Sequence, residues 1–136
     1  MEIDLKKYTA FVEAITSKDS NNTESFVHRI ETLQAQNKIM NVSLAITSAV
    51  GLAGESGEFL EIWKKIMFHQ KEYTSDVRDH AAKELGDIIF YWTNACRALG
   101  LDPNQVIADN VTKLEARYPG GKFSAASSEN RAAGDI

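Results

Sequence analysis

The chain has 136 residues, of which 43% are hydrophobic and 25% charged, and 15 basic against 19 acidic side chains leave a net charge of −4. That balance belongs to one ordinary globular domain and excludes a disordered or fibrous chain, and every apolar run is broken too early to span a bilayer. An acidic chain without a basic stripe is also a poor binder of a nucleic-acid duplex, so neither duplex nor membrane is expected as a partner.

Met1 leads straight into the charged "EIDLKK", which does not read as a signal peptide. The one cysteine, Cys96, has no intramolecular partner and sits in an apolar helical pattern, so it reads as a packing residue in a reducing cytosol. A cytoplasmic location is expected.

"DLKKYTAFVEAITS" carries Leu5, Tyr8, Phe11, Val12 and Ile15 at helical spacing, with Asp4 as its expected cap. "KDSNN" reads as a loop, after which Thr23 is expected to cap a helix with Phe26, Val27, Ile30 and Leu33 on one face. A long helix is predicted over 41–68, and "HQKEYTSD" connects it to a second that opens at Ser75 or Asp76 and runs to Leu99. Gly100 is its stop. Asp102 and Pro103 then form a cap and first turn for a helix that ends before Pro119. "PGGKFSAASSENRAAGDI" lacks periodicity and reads as a loose tail. No alternating strand pattern occurs, so the fold class is all-α, a helical bundle.

"GLAGESGEFLEIWKK" raises the chemical question. Its glycines 51, 54 and 57 each cost a helix about 0.8–1 kcal/mol relative to alanine, yet glutamates 55, 58 and 61 share the same turns. Residues three apart are neighbours on a helix, so Glu55 and Glu58 project to one side, and Glu84 and Asp87 repeat the arrangement on the next helix. A short connection makes the two helices an antiparallel hairpin that can bring the pairs together. Two carboxylates about 5 Å apart repel by roughly 3 kcal/mol at an effective dielectric near 20. Four need protons or a cation, and an all-oxygen anionic set selects a hard ion, Mg²⁺ or Mn²⁺. Without the four, the remaining charges balance at 15 against 15. Gly54 and Gly57 beside the first pair and Gly86 inside the second are expected to let the helices approach closely or to leave room for a ligand.

Each of these features has a plainer reading. E-x-x-E alone is usually a solvated helix face, and it is the second pair with its glycine that tips the balance. Asn110, Lys113 and Arg117 lie within about 60° of one another around their helix, a line suited to a phosphate chain, or else a solvated polar face. Tyr91, one turn beyond Asp87, could stack on a base or pack in the core; Lys65 is a further phosphate candidate. Trp63, Trp92 and Phe90 read as core. A di-iron bundle is disfavoured, because Glu-x-x-His never occurs: Ser25, Ile66 and Val77 stand three residues before His28, His69 and His80.

"GLAGESGEFLEIWKK", "KELGDIIFYW" and "NVTKLEARYPGGKF", in that order, resemble the E-x-x-E, E-x-x-D and N-x-x-K-L-x-x-R-Y segments of the MazG family of all-α nucleoside triphosphate pyrophosphohydrolases. The likeness covers residues 40–123, and the flanking segments resemble versions carried by bacteriophages. It implies hydrolysis of a nucleoside triphosphate to monophosphate and pyrophosphate, for control or cleaning of the nucleotide pool. Carried over by position, Glu55, Glu58, Glu84 and Asp87 would hold Mg²⁺. Asn110, Lys113 and Arg117 would contact nucleotide, with Tyr91 near sugar or base, and Glu58 or Glu61 would activate water. A homodimer or homotetramer is implied, and the apolar helices of residues 1–36 agree with it. Residues 37–118 would form the catalytic helices of a single domain, followed by a tail over 119–136. The competing reading is a noncatalytic helical interaction module.

Overall fold

The structure, a computed structural model, describes residues 5–129, and within them every regular element is a helix. In chain order these are α1 (Lys6–Ile15), α2 (Lys18–Asn21), α3 (Thr23–Gln36), α4 (Val42–His69), α5 (Ser75–Leu99), α6 (Pro103–Arg117) and α7 (Ala125–Glu129). The expected Asp4 cap lies outside the described residues, as does the tail from residue 130 onward. Leu5 occupies the cap position of α1 without a side-chain hydrogen bond.

Capping explains most of the boundaries. The Asn41 carboxamide accepts the Leu44 N–H at 2.9 Å and starts α4, and Thr74 accepts the Val77 N–H and starts α5. Gly100, at φ +68°, ends α5 in the left-handed conformation that glycine adopts without strain, and the Asp102 carboxylate accepts the Asn104 N–H before Pro103-led α6. Gln70 takes the corresponding left-handed position after α4, at φ 54°. Three expectations are corrected. The "KDSNN" loop contains α2, capped by Ser17 and tied down by the Asn21 amide, which donates to the Glu13 and Thr16 carbonyls. Asn22, not Thr23, caps α3, accepting the Ser25 N–H at 2.8 Å. Part of the tail coils into α7.

The α4–α5 hairpin is the packed centre. At its turn end Ile62, Val77 and Ala81 are buried together, with Phe59 and Ile66 against them. At its open end the Asn41 N–H donates to the Ala98 carbonyl at 2.7 Å, and Val42, Cys96 and Ala98 are buried. Cys96 is therefore a packing residue, as its sequence context implies. Gln34 joins α3 to this end, its amide accepting the Val42 N–H and donating to the Met40 carbonyl. Few other large side chains are covered. The apolar face of α1 is open, with Leu5, Tyr8, Phe11 and Ile15 each 58–66% exposed. Trp63 and Phe90, read from sequence as core, are likewise exposed, and Trp92 is half-buried.

The glycines divide differently from expectation. A Cβ on Gly54, Gly57 or Gly86 would meet nothing, so those positions face open space and do not mediate close helix approach. Gly51 is the close approach: a Cβ there would run into the Tyr91 ring. Gly51→Ala is accordingly expected to destabilise the protein by about 1–3 kcal/mol through overpacking. Gly57→Ala is expected to stabilise it by about 0.8–1 kcal/mol through helix propensity. Urea unfolding of the two variants beside the parent protein checks the opposite signs.

Candidate metal centre

Glu55 and Glu58 on α4 and Glu84 on α5 each offer one carboxylate oxygen, and these three atoms lie within 4.8 Å of one another. The spacing follows from the hairpin. Positions i and i+3 put the first two on one face of α4, and packing around Ala81 brings the next turn of α5, with Glu84, opposite them. The three differ in setting. Glu84 is buried at 6% exposure, Glu55 is half-buried, and Glu58 is exposed. Asp87 is exposed and falls outside the tight triad, but its charge is near enough to act on Glu55.

The electrostatics show the strain of this arrangement. Desolvation pushes the Glu55 carboxyl above its ordinary value, and Glu58, Asp87 and Glu84 push it further the same way. Glu61 behaves oppositely. A hydrogen bond from Lys64 and the charge of Lys65 hold its carboxyl below the usual range, with the two ammonium nitrogens at 3.4 and 3.5 Å. His80, one turn before Glu84, places Nδ1 3.5 Å from the Glu84 carboxylate. Its i, i+4 relation to Glu84 was visible in the sequence, although the His80 role weighed there was only that of an absent di-iron ligand.

A cavity of about 200 Å³ opens beside the triad, lined by Glu58, Glu61, Lys65, Lys71, Asp76 and His80. It joins Lys65 to the carboxylates and adds Lys71, which no spacing rule connects to them. Lys71 arrives there through the turn after α4, where its N–H donates to the Lys65 carbonyl. On α6, Lys113 is exposed, Arg117 is half-buried, and Asn110 lines a separate cavity between α4, α5 and α6. Tyr91 lies over Gly51 and meets Phe90 edge-on, with ring centroids 5.2 Å apart.

The donor set fits a hard divalent cation. It consists of carboxylate oxygens on two rigid helices, with no sulfur, and the His80 imidazole lies against its buried member. Because the Glu55 carboxyl is raised, the folded protein keeps a proton there that the unfolded chain has lost. Its contribution to stability is therefore fully present below the ordinary value of 4.5 and is lost as pH rises through the folded value. Glu55→Gln is expected to raise the melting temperature of metal-free protein at pH 7 and to shrink its fall between pH 5 and 7. Mg²⁺ is expected to do the same for the parent protein and less for the variant. Thermal melts at the two pH values, with Mg²⁺ or EDTA, check both effects.

The sequence pattern of the MazG nucleotide pyrophosphohydrolase domain matches residues 46–121. Neither a curated protein nor a solved structure gives a match. No helix among the described residues is long and apolar enough to cross a membrane. The matched segment takes in both carboxylate pairs and the whole of α5 and α6, more than half of the chain, and it makes this protein a member of the MazG nucleotide pyrophosphohydrolase family.

Proposed function

We propose that the protein hydrolyses ribo- or deoxynucleoside triphosphates to the monophosphate and pyrophosphate, with Mg²⁺ held by Glu55, Glu58, Glu84 and Asp87. The observation that carries this reading is the convergence of three carboxylate oxygens within 4.8 Å, from both helices of the hairpin, inside the family match. Mg²⁺ or Mn²⁺, when bound, offsets the negative charge of the triphosphate and makes water a stronger acid near neutral pH.

The protein's own groups divide the remaining work. Burial fixes the direction of Glu84, while Glu58 faces both the triad and the neighbouring cavity and is the better placed to accept a proton from attacking water. Glu61 is the weaker base, since Lys64 and Lys65 stabilise its ionised form. Its service is to hold Lys65 at the cavity, where Lys65 and Lys71 oppose the phosphate charge. Lys113 and Arg117 of α6 are the further cations assigned to the phosphates, and Tyr91 meets the sugar or base. As the water oxygen bonds to phosphorus, the bond to the α–β bridging oxygen breaks and pyrophosphate departs.

The second part of the proposal is a homodimer or homotetramer. The exposed apolar face of α1, together with Phe26, Val27, Met67, Phe68 and Phe90, exceeds what a lone 15.1 kDa chain usually leaves in water.

A panel of ribo- and deoxynucleoside triphosphates with Mg²⁺, products separated, is expected to yield pyrophosphate and monophosphate, never orthophosphate as the first product. Glu58→Gln and Asp87→Asn are each expected to lower turnover by orders of magnitude with the fold retained. Near-parental turnover in both variants would remove this metal site, and a noncatalytic interaction module predicts no turnover from the start. Light scattering at micromolar concentration is expected to give at least twice the chain mass; a 15.1 kDa particle would refute the oligomer.

A further inference from the structure

The cavity between α4, α5 and α6 has a volume of about 460 Å³, within the range of roughly 300–1,000 Å³ typical of small-molecule sites. Leu52 of α4, Ile88 and Trp92 of α5, and Val106, Ile107 and Asn110 of α6 line it. Among the described residues that line it, the indole N–H of Trp92 and the carboxamide of Asn110 are the only polar side-chain groups, and none is charged. Such a wall repels phosphate, which would lose its hydration without gaining a counter-charge. It suits a flat, neutral, aromatic ligand with a hydrogen-bonding edge: the indole offers a stacking face, and an amide can donate and accept at once.

The position of the cavity narrows the ligand further. Leu52 precedes Glu55 by three residues and Ile88 follows Glu84 by four, spacings at which helix side chains share a face, and Trp92 stands one turn further along α5. The apolar cavity therefore begins one turn from the carboxylates, on the same two helices, on the opposite side of Glu55 from the charged cavity at Lys65 and Lys71. A nucleotide has the same polarity along its length, with a polyanion at one end and an uncharged heteroaromatic ring at the other.

We propose that this cavity receives the nucleobase of the substrate, with Trp92 as its stacking platform and Asn110 as the group that reads the base edge. The assignment rests on the pyrophosphohydrolase reading above, and it takes Asn110 out of the phosphate-binding line and gives it to the base. Trp92 and Asn110 become specificity determinants. Lys113 and Arg117 remain with the phosphates.

The protein has two tryptophans, so in full-length Trp63→Phe protein Trp92 is the sole tryptophan reporter. The two reaction products then probe the two ends of the site separately. The nucleoside monophosphate formed from the best substrate of the panel is expected to quench Trp92 emission saturably, and magnesium pyrophosphate to leave it unchanged. Trp92→Leu is expected to raise KM for that substrate about 5- to 150-fold, the range for losing one base–aromatic stack. Asn110→Ala, at an exposed position that spares the fold, is expected to raise it about 2- to 10-fold, the range for one hydrogen bond. Inhibition by pyrophosphate should be unaltered in both. Turnover by a protein whose Trp92 emission ignores the monophosphate, or an unaltered KM in Asn110→Ala, overturns the base pocket and leaves the pyrophosphohydrolase reading standing. A protein that turns over no nucleoside triphosphate overturns that reading, and the pocket with it.

Discussion

Like-charge repulsion between α4 and α5 is the constraint around which this molecule is arranged. The hairpin is the one thoroughly packed unit among the described residues, and it is also where Glu55, Glu58 and Glu84 are pressed together. Ile62, Val77 and Ala81 supply the apolar burial that closes the helices, and Glu84 follows Ala81 by only three residues. The side chains that hold the helices in contact therefore also fix the separation of the carboxylates. The hairpin cannot relieve its charges by opening without exposing its own core. Protonation, or a cation, is the remaining way out, and the raised Glu55 carboxyl records the first of these.

That constraint also leaves the glutamates of the hairpin in distinct surroundings. Glu84 is covered, with His80 against it, so it has little freedom to change direction. Glu58 stands in solvent at the mouth of the charged cavity, where it can exchange protons with water. Glu61, one turn further along α4, is drawn away by Lys64 and Lys65 and does not join the cluster. Glu55 and Glu61, six residues apart on α4, thus end in opposite electrostatic settings, because desolvation and the neighbouring carboxylates act on the first and two lysines on the second.

The parts of this arrangement that depend on a single helix were legible in the sequence. Gly100 and the Asp102–Pro103 pair are end signals whose chemistry is local, and the i, i+3 carboxylate pairs declare their shared face without reference to any partner. What depends on a contact between helices was not. Periodicity shows that Trp63 and Phe90 lie on apolar faces, but it cannot say how much of those rings stays exposed once the helices pack. Gly51 was counted among three equivalent glycines, and only the Tyr91 ring distinguishes it from Gly54 and Gly57. Asn22 and Thr23 are adjacent cap-forming residues, and the stronger hydrogen-bonding cap took the position. The four-residue α2 is too short to stand on propensity; it exists because Ser17 and Asn21 satisfy its ends.

Tyr91 marks the place where α5 comes closest to the α4 backbone, at Gly51. It sits one turn past Asp87 and next to Trp92, and it can lie flat over α4 only because residue 51 lacks a side chain. Its ring fills the gap between the helices there, as Phe59 and Ile66 pack against the buried cluster at the turn end. A side chain at residue 51 would have to displace that ring, so the cost of glycine in a long helix is offset by the close contact it permits. Gly54, Gly57 and Gly86, whose missing side chains face open space, have no such packing reason. Each costs its helix about 0.8–1 kcal/mol relative to alanine and leaves the backbone bare beside the carboxylate pairs.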